Sequence, residues 1–347
     1  MTVRTALVGY GSGGRYFHAP FLAADPDLSL DVIVTSDPGR AASATAEHPG
    51  ARVVPDLATA LAEHAGELDL VVVSTPPERH AEQVAAALEA GLHVVVDKPM
   101  TVRAEEAAAL VALAEERGLV LTVFQNRRWD GDFRTLRRLV DGGALGTVRR
   151  FESRFETWKP VEAKAWKQAG ADTGAGVLYD LGVHLVDQAV QLLGPVADAS
   201  AELVRHRPGE GADDDSLVVL HHVGGAVSHL RMSTLTPLPG PRFQVVGSEG
   251  GFLSWGLDSQ EAALKDGARP DDPGFGERHD EGAAVAGVAG QERPVTLEPG
   301  RYADFYRGVV RAVLEGAPPP VDPRDAVAVV ELVERLHRDF PVRRGPA

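Results

Sequence analysis

The first 124 residues alternate between short apolar runs and stretches with helical character, and this alternation restricts the possible folds most strongly. Residues 68–73 and 94–96 are rich in β-branched side chains and are short enough to be buried strands. The helical stretches between such runs end at glycines, for example Gly91 and Gly118. Strand–helix alternation over this length predicts a doubly wound parallel sheet of the α/β class.

A glycine-rich turn follows the first apolar run. Gly9, Gly11 and Gly14 fit the spacing G-x-G-x-x-G, and Ser12 and Gly13 lie between them. In a dinucleotide-binding fold these glycines permit a tight turn, the approach of a pyrophosphate, and close packing of the next helix. The N-terminus of that helix then offers free N–H groups to the phosphates. Because the turn lies between a predicted strand and a predicted helix, we interpret it as a dinucleotide site and not as a plain turn.

The end of the second predicted strand, at residues 30–35, is expected to meet the adenosine ribose. An acid there would bind the 2′-hydroxyl of NAD, whereas an arginine would accept the 2′-phosphate of NADP. Ser36, Asp37 and Arg40 supply both kinds of group, and Asp37 could instead cap the next helix. Ser36 at the strand tip, with Arg40, favours NADP, and Asp37 at the tip favours NAD. We prefer NADP as the cofactor.

Another turn, at Thr75 and Pro76, follows the strand at residues 68–73. The carboxyl ends of parallel strands form the edge at which an open α/β sheet binds its ligands. We therefore expect this turn near the nicotinamide ribose. His80 follows on the next helix, where we expect it to contribute to the cofactor site and not to catalysis.

Asp97 and Lys98 directly follow the apolar run at residues 94–96, and Pro99 ends the strand there. Lys98 is either an ordinary surface lysine at a strand end or a group that points into the ligand crevice. Unlike arginine, a lysine can shift its pKa and move a proton. Its place at the strand tip makes Lys98 a candidate catalytic residue, and Asp97 a candidate for cofactor binding.

The pattern changes after residue 124, which predicts a dinucleotide-binding domain over residues 1–124 and a substrate-binding domain over residues 125–347. Four alternating runs in the second part predict an antiparallel sheet. Residues 258–294 are rich in Gly, Asp, Glu and Pro and are predicted to form a long, mobile loop, a candidate lid. The four runs are residues 201–206, 216–222, 225–232 and 242–247.

Two polar and aromatic stretches of the second part are candidates for substrate binding. Asn126, Arg128 and Trp129 directly follow the last strand of the first part, where an exposed connector is the other interpretation. Trp166 lies in a loop that also holds several lysines. That loop would line a hydroxyl-rich ligand or would simply be a solvated loop.

Asp180, His184 and Asp187 lie on a stretch with helical character over residues 178–193. Their spacing of i, i+4 and i+7 places them on one helical face. Ionisable groups on an otherwise apolar helix are costly unless they meet a partner or a cleft. These three residues could bind a metal, but the sequence shows no further ligands close to them. Alternatively, His184 could be a structural histidine. The flanking acids favour acid–base chemistry, because a carboxylate orients and tunes an imidazole.

Bulk composition narrows the class of protein further. A chain of 347 residues is expected to form two domains. The absence of cysteine excludes disulfides, cysteine nucleophiles and thiolate metal sites. A net charge of −15 argues against a nucleic-acid partner. The apolar runs are too short to cross a bilayer and no charged-then-apolar leader opens the chain, so we expect a cytoplasmic protein.

Taken in order, these motifs resemble the Gfo/Idh/MocA family of NAD(P)-dependent sugar and cyclitol oxidoreductases over nearly the whole chain. Asp97 stands where the family usually has glutamate, and the last two motifs most resemble the scyllo-inositol dehydrogenase branch. The resemblance implies a Rossmann domain, then an α/β domain on a large open, mostly antiparallel sheet, and homodimers or homotetramers. The motifs are Gly9-x-Gly11-x-x-Gly14 with Phe17-His18-x-Pro20, Ser74-Thr75-Pro76-Pro77, Asp97-Lys98-Pro99, Asn126-Arg127-Arg128-Trp129-Asp130, and Asp180-x-Gly182-x-His184-x-x-Asp187.

The resemblance also implies roles for individual residues. Lys98, Asp180 and His184 would be catalytic, and Asp187 would bind a hydroxyl of a polyol or sugar. Oxidation of a secondary alcohol needs a base within hydrogen-bond reach of the hydroxyl. We expect His184 to accept that proton, oriented by Asp180, while Lys98 stabilises the charge on oxygen, although Lys98 and His184 could exchange roles. A redox-neutral glycosidase that keeps NAD bound and a non-enzymatic NAD(P) sensor are the alternatives.

Overall fold

The computed structural model describes residues 2–162, 170–208, 211–280 and 282–346. The described chain forms two compact units. The first contains residues 1–126, 260–275 and 301–328, and the second contains residues 127–259, 276–300 and 329–347. Each unit therefore combines segments that are far apart in the sequence. The predicted domain boundary at residue 124 stays a prediction, because the two units are defined by packing contacts and not by independent folding.

Within the described part of the first unit, six parallel strands form one sheet in the order β3-β2-β1-β4-β5-β6. Its central strands are apolar and buried at nearly every position, as expected for a sheet with both faces covered. This confirms the predicted doubly wound α/β fold. The strands are β1 (Val3–Val8), β2 (Leu28–Val34), β3 (Arg52–Val54), β4 (Leu70–Val73), β5 (His93–Val96) and β6 (Leu121–Val123).

The helices between these strands begin and end where their sequences favour it. Asp37 and Asp56 each accept an N–H from the first turn of the helix that follows them, at 2.8 Å in both cases. Gly118, with φ +64°, ends the longest of these helices. The helices are α1 (Ala19–Ala24), α2 (Pro38–Glu47), α3 (Leu57–His64), α4 (His80–Glu89) and α5 (Ala104–Arg117).

Two later segments complete the core of the first unit. Phe305 packs against Phe124 with 4.9 Å between ring centroids. The Thr122 hydroxyl donates to the Val321 carbonyl at 2.8 Å, and Ala326 lies in the apolar core of this unit. The first unit therefore cannot be assembled from residues 1–126 alone. The helices concerned are α8 (Gln260–Lys265), α9 (Tyr302–Glu315) and the first part of α10 (Pro323–Asp339).

Within the described part of the second unit, nine strands form a mixed sheet in the order β14-β13-β12-β11-β7-β10-β9-β8-β15. The predicted, mostly antiparallel sheet is confirmed, but β10 runs parallel to β7 and β15 parallel to β8. The strands are β7 (Val148–Glu156), β8 (Val196–Arg205), β9 (Asp215–His222), β10 (Val227–Ser233), β11 (Phe243–Gly247), β12 (Gly251–Ser254), β13 (Ala284–Gly287), β14 (Arg293–Pro294) and β15 (Arg343–Arg344).

Two helices of the second unit, α6 (Gly131–Asp141) and α7 (Val183–Leu193), carry predicted site residues or lie next to them. Side chains along β9 alternate between buried and half-buried or exposed positions, so one face of the sheet forms a core. Helix α7 lies on β7 and β10, and Phe133 of α6 contacts Phe243 with 6.2 Å between ring centroids. The sheet thus supports both helices from one face.

Two stretches differ from their sequence interpretation. Residues 258–294 are not one long loop, because they contain α8 and β13, and β13 pairs with β12. Residues 52–64, to which the sequence pattern assigned no element, form β3 and α3. Short elements of three to eight residues carry too few side chains for a periodic signal. No helix in the described ranges is long and apolar enough to span a membrane.

Candidate functional site

The glycine turn after β1 has the geometry that its sequence predicts. Gly9 has φ +100°, and a Cβ there would lie 2.2 Å from the carbonyl oxygen of Ser74. A Cβ on Gly14 would lie 1.9 Å from the carbonyl oxygen of Gly9. Both positions therefore require glycine, and the turn packs closely against the end of β4.

The segment after the glycine turn differs from the regular helix that we predicted. Residues Gly14–His18 form a π-helical turn, in which the N–H of Ala19 bonds to the carbonyl of Gly14. The helix α1 begins only at Ala19. Such wide turns are rare and are frequent at functional sites. This turn ends in His18, whose side chain is completely buried.

Ser36, Asp37 and Arg40 are exposed after β2. Asp37 caps α2, because its Oδ1 accepts the N–H of Arg40 at 2.8 Å, which agrees with the alternative interpretation of this residue. The Arg40 guanidinium reaches the glycine turn, since its Nη1 lies 3.7 Å from the position of a Cβ on Gly11. A cation therefore lies beside the predicted phosphate-binding backbone, while Asp37 is engaged by the helix.

Ser74 and Asp97 meet beneath the glycine turn. The Ser74 hydroxyl donates to Oδ2 of Asp97 at 2.6 Å. A Cβ on Gly13 would lie 2.5 Å from Ser74 Oγ and 3.0 Å from Asp97 Oδ2. Burial by itself would raise the pKa of Asp97, but His18 and Ser74 more than offset it, so that pKa is lowered. The structure therefore brings an ionised carboxylate to the predicted cofactor turn.

Thr75, Pro76 and His80 lie between β4 and α4. The Thr75 hydroxyl donates to Oε1 of Gln83 at 2.6 Å, and Pro76 is half-buried. His80 is completely buried, and its ring nitrogens lie 2.8 Å from the Thr75 carbonyl oxygen and 2.9 Å from that of Pro99. Burial lowers the pKa of His80. His80 ties the turn after β4 to the turn after β5, and its predicted role at the cofactor stays a prediction.

Lys98 lies where the sequence predicts it, two residues beyond β5, and it is half-buried. The peptide between Lys98 and Pro99 is cis. Val94, Val95 and Val96 are completely buried in the centre of the sheet. The predicted catalytic lysine is therefore carried by a turn with a rigid strand on its N-terminal side.

Arg128 and Asp187, both predicted to bind substrate, form a buried ion pair with each other. Arg128 donates from Nε to Asp187 Oδ2 at 2.8 Å and from Nη2 to Oδ1 at 2.6 Å. The two side chains are 9% and 2% exposed. Such a bidentate pair fixes both groups geometrically.

A second π-helical turn, Leu178–Gly182, carries Asp180 and leads into α7, which carries His184. The N–H of Val183 bonds to the carbonyl of Leu178 across this turn. The predicted helical character over residues 178–193 is therefore present, but its first turn is π-helical. His184 is 5% exposed and Asp180 is half-buried.

Asp213 anchors this second π-helical turn and was not found by sequence reasoning. Its Oδ2 accepts the N–H of Leu178 at 3.0 Å and the hydroxyl of Ser216 at 2.7 Å. A Cβ on Gly176 would lie 2.1 Å from its Oδ1. Burial raises the pKa of Asp213 to about 6. The residue lies in a run of aspartates before β9, which looks like a solvated loop in the sequence.

Arg242 is a second buried residue that the sequence did not single out. Its Nη2 donates to Oε1 of Gln188 at 2.8 Å, and its Nη1 donates to the Ser153 hydroxyl at 2.6 Å. Gln188 in turn donates from Nε2 to the Arg127 carbonyl at 2.8 Å. This chain of hydrogen bonds joins α7 to the sheet and to the segment before α6. An arginine next to an apolar strand was the only signal in the sequence.

The remaining predicted substrate residues are placed as follows. Asn126 is buried in the first unit, and Trp129 is half-buried in the second. Trp166 lies outside the described residues. Within the ranges that the structure describes, no group of three or more histidine, aspartate or glutamate side chains is arranged to hold a metal ion.

Both parts of the chain match known protein families. Residues 3–125 match an oxidoreductase family with an NAD-binding Rossmann fold, and residues 133–253 match the GFO/IDH/MocA C-terminal domain. The first region contains the glycine turn, Asp97 and Lys98, and the second contains Asp180, His184 and Asp187.

Individual proteins are similar over nearly the full length. The uncharacterized oxidoreductase YdgJ of Escherichia coli is 37% identical, over 96% of this chain and 94% of its own. The scyllo-inositol 2-dehydrogenase (NADP(+)) IolW of Bacillus subtilis is 32% identical, over 96% of this chain and 92% of its own. The crystal structure of GenD2 from gentamicin A biosynthesis, in complex with NAD, superimposes with a TM-score of 0.78 at 30% identity, covering 97% of this chain and 93% of that one.

Proposed function

Because this chain belongs to the Gfo/Idh/MocA family of NAD(P)-binding oxidoreductases, we propose that it transfers hydride between a nicotinamide and a secondary alcohol or ketone carbon of a cyclitol or sugar. The observation that carries this proposal is Lys98, two residues beyond the buried strand β5. A lysine at the ligand edge of such a sheet can stabilise the negative charge that develops on oxygen during alcohol oxidation. The 32% identity with a scyllo-inositol dehydrogenase supports a polyol substrate.

The residues of the glycine turn fit a dinucleotide cofactor. Side chains at Gly9 and Gly14 would collide with backbone atoms, so this tight turn requires glycine. Without side chains there, a phosphate can approach the backbone amides of the turn closely. Arg40 beside Gly11 supports NADP, because a guanidinium pairs well with a 2′-phosphate. Asp37 is engaged as a helix cap, which weakens the argument for NAD. Ser36, Thr75, Pro76 and His80 belong to the same proposed cofactor site.

When it is bound, the nicotinamide supplies the hydride chemistry, and the side chains of this protein handle the proton. We assign His184 as the group that accepts the hydroxyl proton at its imidazole nitrogen. Asp180 is assigned as the carboxylate that orients it. Lys98 donates a hydrogen bond to the same oxygen and stabilises the negative charge that develops there.

We assign the binding of substrate hydroxyls to Asp187 and to the other substrate residues that the sequence suggested. Asp187, which Arg128 holds in a fixed orientation, is assigned to accept a hydrogen bond from a substrate hydroxyl. Asn126, Trp129 and Trp166 remain proposed substrate contacts. A ligand with several hydroxyl groups matches this combination of amide, carboxylate and aromatic side chains.

The reaction is tested by following reduced nicotinamide spectroscopically with NADP or NAD and a panel of inositols and aldoses. Reduction with one class of substrate supports the proposal. Silence across the panel, with cofactor binding still measurable by fluorescence, contradicts it, and release of sugar from glycosides without net reduction would indicate the glycosidase reaction.

Lys98→Met tests the observation on which the proposal depends. We expect turnover to fall by about 10²–10³-fold, because the hydrogen bond that stabilises charge on the reacting oxygen is lost, while the Kd for NADPH stays unchanged. Lys265→Met is the matched control, since Lys265 is an exposed lysine paired with Glu261 on α8. Loss of cofactor binding in Lys98→Met would instead make Lys98 a structural residue.

A further inference from the structure

His18 is a buried histidine that the proposed reaction does not use. It ends the π-helical turn that follows the glycine turn, and it is 0% exposed. Its Nδ1 lies 2.5 Å from the hydroxyl of Tyr306, and its Nε2 lies 3.3 Å from Oδ1 of Asp97. Its ring also packs against Phe124, with 4.5 Å between ring centroids. Both nitrogens of a completely buried imidazole therefore face a polar group.

Tyr306 sets the orientation of this imidazole. The tyrosine is completely buried on α9, and burial raises its pKa well above the ordinary value, so it keeps its proton. Its O–H can donate to Nδ1 of His18, which leaves the Nε2–H of His18 directed at Asp97. The tautomer that faces Asp97 is thus fixed by a partner on the opposite side of the ring.

Asp97 is held at both of its oxygens. Ser74 donates to Oδ2 at 2.6 Å, and His18 faces Oδ1. The contact of His18 Nε2 with Oδ1, at 3.3 Å, lowers the pKa of Asp97 both by electrostatic attraction and by hydrogen bonding. His80 on α4 and Tyr306 on α9 also interact electrostatically with this carboxylate, and Lys98 adjoins Asp97 in the sequence.

We propose that His18 is a positioning residue, which fixes Asp97 and through it the turn from which Lys98 acts. The proposal rests on the proposed function, in which Lys98 donates a hydrogen bond to the reacting oxygen and stabilises its charge. Asp97 and Lys98 share a peptide bond, so a displaced Asp97 backbone also displaces Lys98. Misplacement of a catalytic group by about 1 Å can cost about 10²-fold in rate.

Two amide substitutions at one position separate positioning from packing. His18→Gln places an amide donor where Nε2 faces Asp97, whereas His18→Asn reaches only the Tyr306 side. We expect His18→Asn to lower kcat by about tenfold or more and to leave the KM for the cofactor within about twofold. His18→Gln retains kcat within about threefold of the wild-type value, because it keeps the contact with Asp97.

His222→Gln and His222→Asn are the matched controls. His222 is also buried, and both of its ring nitrogens are hydrogen-bonded, to the Gly194 carbonyl and to the Ser228 hydroxyl, each at 2.8 Å. It lies in β9 of the second unit. These variants are expected to lower the thermal midpoint as the His18 variants do, and to leave kcat at the wild-type value.

A second readout needs neither cofactor nor turnover. The carboxyl carbon of Asp97 is titrated by NMR in the ligand-free protein, with Asp97→Asn to assign its signal. We expect the pKa of Asp97 to rise by about one unit or more in His18→Asn and to stay near the wild-type value in His18→Gln. If the wild-type protein oxidises no polyol, the proposed function fails, whereas this titration still tests the contact.

The outcomes that overturn the proposal are equally definite. Equal losses of kcat in His18→Asn and His18→Gln, in proportion to lost stability, would leave His18 a packing residue only. Wild-type kcat in His18→Asn, or an unchanged Asp97 titration, would also overturn it. If His18→Asn does not fold, Tyr306→Phe provides the test. Loss of one hydroxyl should then lower kcat and raise the pKa of Asp97, and no change in either contradicts the proposal.

Discussion

The two units hold their functional side chains by different physical means. In the first unit, backbone contacts dominate, because glycines pack against carbonyl groups and His80 is bound by two carbonyl oxygens. In the second unit, buried charges dominate, as in the pair of Arg128 with Asp187 and in the links of Arg242. Contacts between backbone groups do not change with pH. The stability of a buried ion pair, in contrast, depends on both charged partners being present.

This difference predicts how strongly single substitutions destabilise each unit. A dinucleotide presents the same phosphates in every member of a family, so a rigid backbone turn suits it. Substrates with many hydroxyl groups require side chains of defined direction, and buried ion pairs provide this at the expense of stability. Single substitutions should therefore destabilise the second unit most strongly.

The largest effect is expected for Arg128→Ala, which leaves the Asp187 carboxylate buried without its bidentate partner. We expect the free energy of unfolding to fall by about 3–5 kcal/mol in chemical denaturation. Arg324→Ala is the control, because its ion pair with Glu115 is 64% and 54% exposed, and it should cost about 0–1 kcal/mol. A double variant, Arg128→Met with Asp187→Leu, should recover most of the stability but no activity. Equal effects for Arg128→Ala and Arg324→Ala would contradict the comparison.

Asp213 should make the stability of the second unit depend on pH. Its pKa is raised from 3.8 to about 6, so the folded state retains a proton that the unfolded state loses as pH rises. The contribution of Asp213 to stability is therefore greatest below pH 3.8 and falls as pH rises to about 6. At pH 7, Asp213→Asn should be more stable than wild type by up to about 3 kcal/mol, and the difference should vanish near pH 3.8. Thermal unfolding followed across this range measures it, and a difference that is constant with pH would refute the assignment.

Gly9→Ala tests the backbone-dominated unit. A Cβ at φ +100° and 2.2 Å from the Ser74 carbonyl oxygen should cost about 1–3 kcal/mol of stability and prevent cofactor binding. Gly50→Ala is the control, since a Cβ there has open space. Calorimetric titration with NADP and thermal unfolding give the two readouts. Unchanged binding in Gly9→Ala would show that the turn does not hold the cofactor.

Arg40→Ala is expected to have the smallest effect on cofactor binding. Its side chain is exposed, and in the proposed site the backbone of the first unit provides most of the contacts with the cofactor. The Kd for NADP should rise by about tenfold, as a charged contact with the 2′-phosphate is lost, and the Kd for NAD should not change. Arg103→Ala on another exposed loop serves as the control for net charge. Equal weakening of both cofactors would remove the reason to prefer NADP.

The sequence predicts the first unit better than the second because its signals are local. An apolar run, a glycine spacing and a helix stop at Gly118 lie within a few residues of the features that they predict. The π-helical turns are the exceptions, since one additional residue in a helical turn leaves no periodic signature. Three-residue strands such as β3 are likewise too short for a pattern.

The second unit depends on contacts that are distant in sequence. Arg128 and Asp187 are 59 residues apart, and nothing near either residue indicates the other. The parallel pairing of β10 with β7 is equally remote, because alternation predicts strands but not their partners. Asp213 resembles a surface acid until its burial is seen. The sequence therefore indicates the candidate catalytic residues of the second unit, but not the buried contacts that support them.

The return of the chain to the first unit has a consequence for synthesis on the ribosome. Ala326 belongs to an apolar core whose other fully buried members precede residue 127, so about 200 further residues must be translated before that core can close. At about 5–20 residues per second, the nascent sheet β1–β6 remains exposed for roughly 10–40 seconds. Over that interval part of its apolar surface stays uncovered, which favours aggregation.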